Sequence, residues 1–140
     1  MYPQSKAIEL AKVYENKKLE TIGKYGCCAF VAMWLMGLES DYTMIKIIGE
    51  EIGHTLGDDC TVKWKDFFSC VVGKTVEVEF RNIKSIEEVE NEYRCAVRFD
   101  YNGKSHWVGV QYGELKFNPL SYSQCVDKGR PTTARIIKYI

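Results

Sequence analysis

The stretch YRCAVRFDYNGKSHWVGVQYGELKFNP, residues 93–119, decides the fold. Its first part predicts two antiparallel strands, Tyr93 to Asp100 and His106 to Gln111. Between them lies Asn102-Gly103, a dipeptide that favours the two positive φ angles of a tight turn and is the strongest short-range signal for a β-hairpin. The centre of the chain therefore predicts a hairpin.

Further strands are predicted on both sides of this hairpin. A second turn at Tyr112-Gly113-Glu114 leads into Leu115 to Asn118, and Pro119 ends that strand because it has no amide to donate. Upstream, Val76, Val78 and Phe80 alternate with Thr75, Glu77 and Glu79, and this period of two is typical of a strand. Thr132 to Tyr139 is expected to form the last strand.

The chain before Gly73 is predicted to be helical. The expected helices are Ser5 to about Asn16, Cys27 to Met36, Asp41 to about Ile52, and a short one within Thr61 to Val72. The second is apolar all round, so it should be buried, and Gly37 should end it. Ser85 to Glu88 forms a capping-box pattern that opens another short helix. Helices followed by antiparallel strands predict a single α+β domain over residues 1–140, with the apolar helix on the inner face of the sheet.

Charge and composition exclude several classes of function. The 140 residues carry 19 basic and 19 acidic side chains, so nothing favours nucleic acid or an anionic membrane as a partner. The longest apolar run, Cys27 to Leu38, is too short for a membrane span and too far from the start for a signal peptide. We therefore expect a cytoplasmic protein, and nothing indicates its oligomeric state.

The six cysteines contain no C-x-x-C pair and match no zinc spacing, which predicts reduced thiols and neither metal nor cofactor. His54, close to Cys60, lacks the further ligands that a metal needs, and we interpret it as a residue near a helix C-terminus. The tryptophans are expected in the core.

One group of residues suggests nucleophilic chemistry. Cys27 should begin the buried helix, where unpaired amides and the helix dipole lower a thiol pKa, and Gly26 allows a sharp turn into it. Cys28 is the alternative nucleophile, less favoured because it lies further from the helix start. His106 shares an apolar strand face with Val108 and Val110 and is the expected base. The competing interpretation is two buried thiols and a structural histidine.

Asn118 is the candidate that would orient His106, and the register of the second hairpin decides it. If a three-residue loop pairs Gln111 with Leu115, Asn118 lies opposite Val108, on the face of His106. With a two-residue loop it points to the other face. Otherwise Asn118 is an ordinary residue at a strand end.

Three segments resemble papain-like cysteine peptidases, nearest the branch that processes bacteriocin leaders: Tyr25-Gly26-Cys27, His106-Trp107-Val108-Gly109-Val110 and Phe117-Asn118-Pro119. Two others, residues 59–64 and 118–123, resemble a poorly characterised bacterial domain family carried on phage and plasmid DNA. The resemblance extends over most of the chain, from Tyr25 to Ile140.

The resemblance implies a papain-like fold and a cysteine hydrolase acting on a peptide or protein, with Cys27 as nucleophile, His106 as base and Asn118 as orienting residue. Such enzymes usually carry a Gln shortly before the cysteine as an oxyanion donor, and this chain has Thr21 there. That difference favours a second hypothesis, an inactive papain-like binding or inhibitory module of phage or mobile-element origin. A third is an acyltransferase or deamidase that uses the same Cys-His pair.

Overall fold

The computed structural model describes residues 3–14, 27–38, 45, 63–120 and 122–138. The helices are α1 (Pro3–Tyr14), α2 (Cys27–Leu35), α3 (Trp64–Val72) and α4 (Gln124–Lys128), and a 3-10 helix spans Ile86–Val89. The strands are β1 (Glu77–Asn82), β2 (Arg94–Tyr101), β3 (Lys104–Gln111), β4 (Glu114–Phe117) and β5 (Arg130–Lys138).

The five strands form one antiparallel sheet in the order β1-β5-β2-β3-β4. The last strand of the chain lies between β1 and β2, so the first and last strands pair with each other at one edge of the sheet. Asn102 and Gly103 turn β2 into β3 with φ angles of 48° and 76°, as predicted. The α+β prediction is confirmed at this level.

Apolar side chains cover both faces of the sheet. One face packs on α1, α2 and α3, and Trp107 of β3 and Phe117 of β4 belong to it. The other face carries Val108 and Val110 and is covered by the 3-10 helix and α4. Because neighbouring residues of a strand point to opposite faces, β3 sends its odd and even positions into different cores.

The helix α2 is the centre of the larger core. Its residues Cys28 to Trp34 are buried, and Gly37, with a φ of 83°, follows its end as predicted. At that end the Arg94 side chain donates a hydrogen bond of 2.9 Å to the Trp34 carbonyl and stacks over the Trp34 ring. A cation there complements the negative end of the helix dipole.

Several predicted elements differ in detail from the structure. The first helix begins two residues before Ser5, and the predicted helix Asp41–Ile52 lies outside the described residues except for Ile45, which is buried. Phe80 is 63% exposed, so the alternation of β1 does not bury all its apolar positions. Helix α4 was not predicted, although Ser123 caps it by accepting the Cys125 amide. None of the helices in the described part of the chain is long and apolar enough to cross a membrane.

Candidate active site

The turn between β3 and β4 sets the position of Asn118. It is a two-residue turn, since Gln111 pairs with Glu114, and both Tyr112 and Gly113 have positive φ. In a regular ladder, this pairing would place Asn118 on the face of the sheet opposite to His106. The register then shifts by one residue between Val110 and Gly109.

That shift is a β-bulge at Lys116. Val110 pairs with Leu115, whereas Gly109 pairs with Phe117, so Lys116 has no partner in the ladder. Asn118 therefore follows at the position opposite Val108, on the face that His106 shares. The expectation that a two-residue loop turns Asn118 away is wrong, because the bulge restores the alternation that the shorter loop removes.

Core packing explains why the bulge forms. The Phe117 ring stacks on Trp34 of α2, with ring centres 5.7 Å apart and planes 9° from parallel. Gly109 lies beside them, and a Cβ there would come within 2.5 Å of the Trp34 ring. Without the bulge, Phe117 would face the opposite core, so the helix contact favours the register that carries Asn118 to His106.

His106 and Asn118 are in direct contact. The His106 Nε2 lies 2.7 Å from the Asn118 Oδ1, and the Leu120 amide donates to that same oxygen at 3.1 Å. Because the Leu120 N–H is only a donor, the shared atom must be the amide oxygen, and His106 must donate to it. The neutral imidazole therefore carries its proton on Nε2, which leaves Nδ1 with a free lone pair.

Cys27 begins α2 and reaches the main chain beside His106. Its sulfur accepts hydrogen bonds from the amides of Trp107, Cys28 and Cys27 itself. β4 pairs with β3 only from Gly109 to Gln111, so the amide of Trp107 lies beyond the end of the described β3–β4 ladder. The sulfur thus contacts the main chain at the residue that follows His106. The hydrogen-bond donors to the sulfur are main-chain amides and not the imidazole ring.

The two candidate groups are both held in their neutral forms. Burial raises the pKa of the Cys27 thiol, and the amide hydrogen bonds offset that rise only in part. Burial also lowers the pKa of His106, which is 4% exposed, and the bond to Asn118 partly opposes this. The expectation of a lowered thiol pKa is therefore wrong, because desolvation outweighs the start of the helix.

Gln4 is a further residue near the candidate site, and the sequence analysis did not assign it a role. It is 2% exposed, and its main-chain amide donates to the Pro119 carbonyl, which places it beside the Asn118-Pro119 step. Its side-chain Oε1 is buried and has no hydrogen-bond partner among the described residues. Glutamine is rarely buried unsatisfied, and that rarity is a signal only once the fold is known.

The remaining candidate residues either lie apart from the contact between His106 and Asn118 or fall outside the described residues. Cys28 is buried in α2, and Thr21, Gly26 and His54 lie outside the described residues. The five cysteines that the structure describes are thiols outside any disulfide: Cys27, Cys28, Cys70, Cys95 and Cys125. Within the described ranges, no three acidic, His or Cys side chains come together as a metal site.

Comparison with known proteins does not assign this arrangement to a family. No protein-family model matches the chain, and neither a curated protein nor a solved structure gives a significant match to it.

Proposed function

We propose that the protein is a papain-like cysteine hydrolase that cleaves an amide bond in a peptide or protein, with Cys27 as nucleophile, His106 as base and Asn118 as orienting residue. The shared oxygen of Asn118 carries this proposal. It accepts from both His106 and Leu120, which assigns the ring proton to Nε2 and leaves Nδ1 as the base. This is the tautomer that a general base facing Cys27 requires, because its lone pair is then on the ring nitrogen that does not contact Asn118.

Acylation starts from two neutral groups. The Cys27 sulfur attacks the substrate carbonyl while its proton passes to Nδ1 of His106, so no free thiolate has to persist in the buried site. The imidazolium then gives this proton to the amine, the C–N bond breaks, and a thioester remains on Cys27. The Asn118 oxygen stabilises the positive ring while it exists.

Deacylation uses the same groups in reverse order. Neutral His106 removes a proton from water, the hydroxide oxygen attacks the thioester, and the C–S bond breaks. The sulfur leaves as the thiol after recovering a proton from the imidazolium. The products are an amine and a carboxylic acid, as for any amide hydrolysis.

Two kinds of donor are available for the oxyanion. The amides at the start of α2 already donate to the Cys27 sulfur and are close to the reacting carbon. The buried Gln4, whose main chain contacts Pro119, is the second candidate, and its side-chain amide would take the role of the glutamine expected at Thr21. Losing one such donor lowers a hydrolase rate by roughly 10²–10³-fold, so Gln4→Ala should reduce turnover to that extent.

A second candidate function is a binding or inhibitory module that keeps this scaffold without turnover. The raised pKa of Cys27 and the lowered pKa of His106 favour it, because they describe two uncharged buried groups rather than an ion pair. In that case the hydrogen bond to Asn118 serves only to satisfy a buried imidazole.

Alkylation of Cys27 distinguishes the two candidates. The folded protein is treated with iodoacetamide between about pH 5 and pH 9, a range that spans the titration of histidines and thiols, and the label at each cysteine is quantified by peptide mass spectrometry. The hydrolase predicts that Cys27 reacts fastest and that His106→Gln slows it at least tenfold. Cys28→Ser is the matched control and should leave the Cys27 rate unchanged.

The opposite result would contradict the hydrolase. If Cys27 reacts no faster than Cys70, which is exposed, and if His106→Gln has no effect, the imidazole does not assist the thiol. A sensitive assay with a fluorogenic peptide library would then find no turnover that depends on Cys27, and the binding module would be the better description.

A further inference from the structure

Arg135 is a half-buried cation without an acidic partner in the described part of the chain. Its guanidinium lies over the Phe80 ring, 3.9 Å from the ring centre, and faces Trp107 at 5.3 Å. Its hydrogen bonds go to the Thr133 hydroxyl and the Ala134 carbonyl, and its Nε is buried with no partner among the residues that the structure describes. Its charge is therefore flanked by aromatic rings and neutral oxygens.

Arg94 and Arg98, which both lie on β2, show how the charge of other arginines in this chain is compensated. Arg98 pairs with Asp100, whose carboxylate lies 3.1 Å from the Arg98 Nε. Arg94 caps the carbonyl end of α2, where a cation is favourable. Arg135 has neither arrangement. Burial and the neighbouring Arg98 both lower its pKa, which is the response of a cation that lacks a counter-ion.

The position of Arg135 connects it to the candidate active site. Trp107, which faces its guanidinium, is the residue whose amide donates to the Cys27 sulfur, and it directly follows His106. Cys28 is also close enough to Arg135 to act on its charge. An anionic group held by Arg135 would therefore lie near Trp107 and the start of α2, on the side of the site where Cys27 is held.

We infer that Arg135 binds a carboxylate of the substrate, so that the enzyme prefers amides flanked by an acidic side chain or by a free C-terminal carboxylate. This inference rests on the proposed hydrolase function and specifies its substrate class. A guanidinium is the group best suited to a carboxylate, since it donates two parallel hydrogen bonds, and the Nη2 of Arg135 makes no hydrogen bond to the described residues.

An isosteric pair of alkylating reagents tests the charge at Cys27. Iodoacetate carries a carboxylate where iodoacetamide has a neutral amide, and the ratio of their rates at Cys27 is compared with the ratio for glutathione. Coulomb attraction to a nearby cation in a partly desolvated site predicts a ratio raised by about tenfold. Arg135→Gln should remove this increase, Arg135→Lys should retain part of it, and Arg130→Gln, on the exposed start of β5, is the matched control.

A ratio that Arg135→Gln leaves unchanged would overturn the inference while the hydrolase proposal stands. If Cys27 reacts with neither reagent, the hydrolase proposal fails, and a binding measurement decides the inference separately. The arginine Nε–H resonances are followed by NMR during titration with Ac-Gln-Ala-NH2, Ac-Glu-Ala-NH2 and Ac-Gln-Ala-OH. The resonance that Arg135→Lys removes should shift with one of the two anionic peptides only. That peptide identifies the carboxylate as side-chain or C-terminal, and no shift with either rejects the site.

Discussion

The two hairpins of β3 begin alike and end differently. Each has a two-residue turn with two positive φ angles, Asn102-Gly103 before β3 and Tyr112-Gly113 after it. The first continues as a regular ladder of eight pairs between β2 and β3, whereas the second is interrupted after two pairs by the bulge at Lys116. The regular hairpin supplies His106, and the interrupted one rotates Asn118 towards it. The bulge therefore builds the contact that the site depends on.

Insertion of one alanine directly after Lys116 should have the largest effect. With one more residue and the same single bulge, Phe117 would lie opposite Val108 and Asn118 opposite Trp107, so Phe117 would leave Trp34 and Asn118 would turn away from His106. We expect loss of the Cys27 reactivity that His106 provides, together with destabilisation of about 3 kcal/mol, the usual range for losing a buried aromatic contact. Urea unfolding and the alkylation assay measure the two effects.

The substitution Lys116→Ala is the control for this insertion, because it keeps the residue count and removes only an exposed side chain. It should stay within about 0.5 kcal/mol of the parent. An insertion variant that keeps both the parent stability and the parent Cys27 reactivity would mean that the register at the bulge does not position the site.

The substitution Phe117→Ala should have the second-largest effect on stability. It removes the stack on Trp34 that favours the bulge, and because Phe117 is only partly buried we expect a loss of about 2 kcal/mol. The hydrogen bond of His106 to Asn118 should weaken at the same time, visible as a shift of the His106 ring resonances. Phe117→Leu is the milder comparison. Unchanged His106 ring resonances in Phe117→Ala would mean that the stacking of Phe117 on Trp34 does not support the hydrogen bond between His106 and Asn118.

Asn118→Ala should affect the pH dependence of folding as well as the site. Burial already holds the pKa of His106 below its ordinary value of 6.5, and removing the Asn118 oxygen should lower that pKa further. The unfolded chain therefore binds the proton of this imidazole more tightly than the folded chain. The free energy of unfolding is highest above pH 6.5, where His106 is neutral in both states, and it decreases as the pH drops below that value. The variant should therefore lose more stability on acidification.

A loss of about 1–2 kcal/mol at neutral pH is expected for Asn118→Ala, since a buried imidazole N–H is left unpaired. Asn118→Asp is the matched comparison, because a carboxylate there should raise the pKa of His106 instead. Unfolding curves between about pH 5 and pH 8, the range in which histidine titrates, measure both variants. Equal acid sensitivity in the parent and in Asn118→Ala would contradict the coupling.

The comparison of the hairpins also separates what the sequence could predict from what it could not. Asn102-Gly103 is local turn chemistry, and the strands that it joins follow from alternation alone. The bulge depends on Phe117 meeting Trp34, two residues far apart in the chain, so no local pattern contains it. The same holds for burial at Cys27, which reversed the pKa expected from the helix start.

The smallest effect is expected at the turns themselves. Tyr112 has a φ of 49°, a conformation that asparagine adopts more readily than tyrosine, so Tyr112→Asn should gain up to about 1 kcal/mol. Tyr112 also packs edge-on against Tyr93, with ring centres 5.6 Å apart, and such a pair contributes about 0.5–1.5 kcal/mol. The two terms nearly cancel, and we expect a net change below about 0.5 kcal/mol.

A double-mutant cycle resolves the two terms. In a Tyr93→Ala background the ring contact is already absent, so Tyr112→Asn should show the full gain of about 1 kcal/mol. The reverse exchange in the regular hairpin, Asn102→Tyr, has no such ring partner to compensate and should cost about the same amount. If Tyr112→Asn is neutral in both backgrounds, the positive φ of Tyr112 carries no measurable strain, and the two turns would differ in sequence but not in energy.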